Sequence, residues 1–140
     1  MTDPISSAGA TAFSGLYAQS LRMKVIAENI ANADSTGKTA GSDPYRRKTV
    51  SFSEVYDSTK DATEIMADPN GVDTTPFRTE HIPGHPAADK DGNVKMPNVN
   101  MIVEMTDMKQ ALRSYEANLQ VIKQGRDMAS SLVDLLRSNG

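Results

Sequence analysis

The chain has no cysteine, which excludes disulfides and thiolate metal sites and leaves no trace of a redox compartment. Tryptophan is also absent, and Phe13, Phe52 and Phe77 are the only phenylalanines among 140 residues. That is less aromatic content than a well-filled globular core uses. No apolar run approaches the roughly 20 residues of a membrane span, so membrane insertion is not expected. Met1-Thr2-Asp3-Pro4 opens the sequence without a basic stretch and an apolar run behind it, so a cleaved signal peptide is not expected either. A net charge of −3 with both signs mixed gives no footprint for nucleic acid or an anionic membrane. The length suits one domain of ordinary size.

What the sequence does contain is periodicity. Between residues 99 and 136, alternating steps of four and three pick out Met101, Met105, Met108, Leu112, Tyr115, Leu119, Ile122, Arg126, Ala129, Val133 and Leu136. All but Arg126 are apolar or aromatic, no proline intervenes, and Gly125 is the one glycine. This pattern predicts a long helix with a narrow seam shaped for a partner helix. At about 1.5 Å per residue it would run about 55 Å, more than a domain of this mass is wide. It must project or pack along other chains. A second row (Ile102, Val121, Met128, Leu132, Leu135) lies beside the first, so one neighbour would not cover it.

Residues 5–33 predict a second helix. Ile5, Ala12, Leu16, Met23, Ile26 and Ile30 mark one face, with Leu21 and Val25 nearly opposite and Phe13 and Tyr17 between. Ala8, Gly9, Ala10, Ala12 and Gly15 permit close approach but weaken the first turns, so this end is expected to be disordered in a lone subunit. Near the helix end stand Asn29 and Asn32, poor interior residues whose amides compete for the backbone. Either they satisfy the last carbonyls of a fraying end, the reading sequence physics favours, or they bond a neighbouring chain.

The middle of the chain, residues 34–98, holds six of the seven prolines. Residues 45–55 read as a strand with Val50 and Phe52 alternating against Thr49 and Ser51. Asp68-Pro69-Asn70-Gly71 reads as a turn, residues 76–79 as a short strand, and Asp91-Gly92 as a hairpin turn joining Ala87-Ala88 to Val94-Lys95-Met96. The expected architecture is helix, small irregular β-containing insert, helix. His81, His85 and Asp89 have the four-residue spacing of metal ligands on a helix, but Pro83, Gly84 and Pro86 forbid that helix. A turn whose histidines bond the backbone is the better reading, and no metal or cofactor is expected. Arg46-Arg47-Lys48 reads as a solvated edge. The methionines at 101, 105 and 108 suit adaptable packing, with a helical peptide-binding adaptor as the alternative.

Asn29-Ile30-Ala31-Asn32-Ala33-Asp34-Ser35-Thr36 at the end of an N-terminal helix resembles the signature of bacterial flagellar rod and hook axial proteins. Pro83-Gly84-His85-Pro86, the run from Gly92 through Asn98 to Asn100, Glu104-Met105 and Arg113-Ser114-Tyr115-Glu116-Ala117-Asn118 resemble the short proximal-rod members of that family. The resemblance implies a mainly α fold, its long terminal helices packed as a coiled-coil pair. Residues 1–36 and 99–140 would form the assembly domain and residues 37–98 the insert. It implies a structural subunit of the basal body, without catalysis, exported unfolded by the flagellar type III apparatus. Its partners would be other rod proteins and copies of itself. The expected interface residues are the C-terminal seam above together with Leu16, Met23, Ile26 and Ile30.

Overall fold

The computed structural model describes residues 4–138. Helix α1 spans Pro4–Ala31 and helix α2 spans Met101–Ser138, with four strands between: β1 Lys48–Asp57, β2 Ala62–Val72, β3 Arg78–His81 and β4 Asn93–Met96. The fold is mainly α with a small β insert, as the periodicity predicts. The backbone forms two compact units. One holds the described residues up to Arg22, Phe52–Ala67, and α2 from Gln110; the other holds Met23–Ser51 and Asp68–Lys109.

In the first unit α1 and α2 run antiparallel. Ile5 reaches the backbone at Gly125, Gly15 lies against Asn118, and Arg22 Nη2 donates to Gln110 Oε1 at 3.3 Å. Small residues make this approach feasible: Ala12, Gly15 and Ala18 are buried along α1. A β-carbon at Gly15 would stand 2.8 Å from the Asn118 amide nitrogen. The face of α2 used here keeps Tyr115 and Ile122 of the predicted seam but adds Ala111, Asn118 and Gly125, each one position before a seam residue.

In the second unit, β3 and β4 pair antiparallel, with Arg78 opposite Met96 and His81 opposite Asn93. The predicted hairpin has a different partner strand. Pro83 and Pro86 lack the N–H groups a ladder needs, so residues 82–92 form a loop closed by Ile82 N–H donating to the Gly92 carbonyl. Ala87 folds back to bury itself with Val94 and Met96.

Two further elements differ from expectation. Residues 68–71 are the end of β2 rather than a turn. The Asp68 carboxylate caps the Asn70 N–H locally at 3.0 Å, and Pro69 is tolerated because each strand of a two-stranded sheet is an edge. Gly71 is required there, since a β-carbon would collide with Thr49. Strand β1 starts at Lys48 rather than 45, because Arg47 N–H is taken by Asn98 Oδ1 at 2.8 Å and residues 45–47 are tied elsewhere. Its alternation does not produce a buried face: Phe52 and Val55 are both exposed. Residues 58–61 join β1 to β2, a connection too short for anything but an antiparallel pair.

Candidate assembly surfaces

The second unit is organised on a polar group that sequence reasoning missed. Asn29 is 1% exposed, and its amide serves four partners. Nδ2 donates to the Lys48 carbonyl at 2.9 Å and to Glu104 Oε2 at 3.2 Å. Oδ1 accepts from the Tyr45 hydroxyl at 2.8 Å and the Lys48 N–H at 2.9 Å. The end of α1, the start of β1 and the first turn of α2 are thereby joined by one side chain. Neither expectation for Asn29 describes this, because its bonds are fixed but lie within its own chain. Asn32 follows the simpler reading, donating to the Glu28 carbonyl at 2.8 Å.

Glu104 is fully buried and faces Arg47, whose Nε donates to Oε1 at 2.5 Å. Arg47 also pairs with Asp73 at 3.5 Å and Asp107 at 3.8 Å. Burial pulls the guanidinium down, but the Glu104 hydrogen bond and the three carboxylates leave it raised overall. Hydrogen bonds from Thr75, with Arg47 behind, hold the Asp73 carboxyl below its usual range. Arg46 lies over the Phe77 ring at 4.1 Å and donates to the Asp73 and Thr75 carbonyls. The basic run is therefore structural wiring rather than a solvated edge. Its signal was present as Glu104, a charge one step off the seam and seven residues before Ala111.

The remaining motif residues also serve the chain itself. Asn98 accepts from Arg47 and donates to Asp73 and Thr75, and Asn100 caps α2 by accepting from the Ile102 and Val103 N–H groups. Ser35 donates to Asn32. Asp34 and the loop residues Gly84 and Pro86 are exposed, while Thr36 is half-buried. His85 Nδ1 accepts from Ala87 N–H, His81 lies beside Asn93 at 3.3 Å, and Asp89 accepts from Asp91 and Asn93. Among the described residues no His, Cys, Asp and Glu gather to hold a metal ion. No described helix is long and apolar enough to cross a membrane.

The predicted seam is divided between two environments. Met101, Met108, Tyr115, Leu119 and Ile122 are half-buried, whereas Met105, Leu112, Val133 and Leu136 are exposed. On α1, Ile26 is buried and Leu16, Met23 and Ile30 are half-buried. Every described residue of α2 beyond Gly125 is exposed, including Met128, Leu132, Val133, Leu135 and Leu136. At about 3.6 residues per turn, Val133 and Leu136 continue the α1-facing side, and Val121, Met128, Leu132 and Leu135 form a ridge beside it, whose Val121 and Met128 border a groove of about 530 Å³ with Ile5, Ala8 and Gly9 of α1. A second exposed apolar cluster lies on α1 and β2: Phe13 is 68% exposed, Tyr17 66% and Met66 57%. They border a groove of about 510 Å³ that Ala10 and Ile65 also line.

Two long helices joined by a polar clasp and carrying exposed apolar rows define a helical assembly subunit. Residues 10–37 match the family described as flagella basal body rod protein, and residues 90–135 match the flagellar basal body rod FlgEFG protein C-terminal family. The chain is 53% identical to the flagellar basal-body rod protein FlgC of Agrobacterium fabrum, over 98% of this chain and 99% of that one. It is 36% identical to FlgC of Borreliella burgdorferi (90% and 93% covered) and 41% identical to that of Salmonella typhimurium (82% and 85%). The chain belongs to the FlgC family of flagellar basal-body rod proteins.

Proposed function

We propose that this chain is a non-catalytic axial subunit of the proximal rod, exported unfolded by the type III apparatus and folded into place in the periplasm. Residues 1–36 and 99–140 act as its assembly domain, and residues 37–98 are an insert carried on it. The rod then transmits torque through packed helices, so the subunit's chemistry is packing. One observation carries this reading: α2 beyond Gly125 exposes five large apolar side chains that no described residue covers. A run of that kind on one helix is the mark of a surface intended for other chains. The exposed seam residues Met105, Leu112, Val133 and Leu136 on α2 and the half-buried Leu16, Met23 and Ile30 on α1 supply its contacts, while Tyr115, Ile122 and Ile26 serve the chain's own packing.

The test replaces Leu136, 77% exposed, by Asp and compares it with Lys109→Asp, an exposed position off both rows. Leu136→Asp should be exported normally but be absent from purified basal bodies, since a carboxylate there must be buried unpaired or hold the neighbour away. Lys109→Asp should incorporate and support motility. Normal incorporation of Leu136→Asp removes the α2 end from the interface.

A further inference from the structure

Resting on the rod-subunit reading, we propose that the groove between α1, α2 and β1 receives an arginine side chain of an adjoining axial chain. The groove measures about 530 Å³ and is bordered by Gly15, Gln19, Phe52, Glu54 and Asn118. Gln19 Oε1 is buried, yet no described residue donates to it, and no other buried side-chain oxygen or nitrogen among the described residues is in that condition. A buried acceptor without a donor costs stability, so its presence calls for a donor from outside the chain. Gln19 is half-buried as a residue, and a turn of its flexible side chain brings the oxygen to the groove.

Glu54 sets the sign of that donor. Its carboxylate is exposed and pairs with no described residue. The hairpin segment 52–67 around it carries Glu54, Asp57, Asp61 and Glu64 against Lys60 alone, and Lys60 is already held by Asp57 at 3.3 Å and Glu64 at 2.5 Å. A cation is therefore the complementary partner. The groove also distinguishes among cations. The Phe52 ring, 43% exposed, offers a flat face on which a guanidinium stacks while its fork donates to Glu54 and to the Gln19 oxygen. A lysine ammonium, a strongly hydrated point charge, has neither the plane nor the fork. One carboxylate is too few for a divalent ion, which gathers several oxygens.

The absence of cysteine makes the occupant directly identifiable. Ser53→Cys, a small change on the groove wall, gives the tagged full-length chain a single thiol. Purified basal bodies containing it are treated with a short maleimide–phenylglyoxal linker, which joins cysteine to arginine, and the peptide joined at position 53 is read by mass spectrometry. The expected product is a link to an arginine of another chain, falling about tenfold or more per incorporated copy when Glu54→Gln is added. A link only within the chain, no link, an equal yield with Glu54→Gln, or a product only with a lysine-directed linker would overturn the site and leave the rod reading intact. Gln19→Met gives a second, independent reading. It removes the unpaired oxygen and keeps the side-chain length, so the denaturant midpoint of the purified subunit should stay level or rise. Its incorporation in competition with the parent chain should fall about tenfold. A lowered midpoint or equal incorporation would overturn the site, including where Ser53→Cys fails to assemble. Absence of the tagged parent chain from basal bodies would count against the rod reading itself.

Discussion

At the scale of the residue, the decisive groups are polar. Asn29→Ala would leave the Tyr45 hydroxyl, the Lys48 N–H and carbonyl, and one Glu104 oxygen short of partners, at about 1–3 kcal/mol for each group that finds no substitute. Arg47→Met would strand a fully buried carboxylate, at a cost of about 3–5 kcal/mol. Denaturant titration should show both changes as a lower midpoint. Replacing Arg47 and Glu104 together by apolar residues should recover much of the loss, because the buried charge goes with its partner. Acid gives an independent reading. The Asp73 carboxyl is depressed below 3.8 by Thr75 and Arg47. A depressed carboxylate contributes stability above its unfolded value and loses it as pH falls through the folded one. Asp73→Asn should therefore cost the most stability above pH 4 and progressively less as pH falls below 3.8.

At the scale of the element, α2 is one helix with two kinds of surroundings. Around residue 104 it is closed by the Asn29–Arg47–Glu104 contacts, whereas beyond Gly125 the described helix has no cover. Helix propensity alone holds a short exposed stretch weakly, since most helical stability in proteins comes from packing. Hydrogen exchange on dilute subunit should give fast exchange across residues 126–138 and slow exchange in the first turns of α2 and the last turns of α1. Equal protection along the whole of α2 would defeat this account. The hairpin β1–β2 turns Ala62, Ile65 and Ala67 of β2 inward, with Ile65 N–H donating to Ser14 Oγ of α1, whereas Phe52, Val55, Tyr56 and Met66 stay exposed and β1 has no buried face.

At the scale of the whole molecule, folding and assembly should be coupled. If the α2 end is covered only by other copies, protection of residues 126–138 should rise with subunit concentration, while that around Asn29 and Glu104 stays constant. Concentration-independent exchange in both regions would place the covering partner elsewhere, on a different rod protein.

The sequence by itself determined both helices to within about two residues, the small β insert between them, the family and the surplus of apolar positions on α2. Those follow from local periodicity, proline placement and short motifs, which act over a few turns of chain. Only the tertiary structure decided which of those positions the chain keeps for itself. Gly15 admits Asn118, so the α1-facing side takes Tyr115 and Ile122 from the heptad but turns Leu112 outward. Asn29 and Glu104 are separated by 75 residues and meet only once α1, β1 and α2 converge. A hydrogen bond over that distance has no periodicity to announce it, because its partners are fixed by packing rather than by spacing.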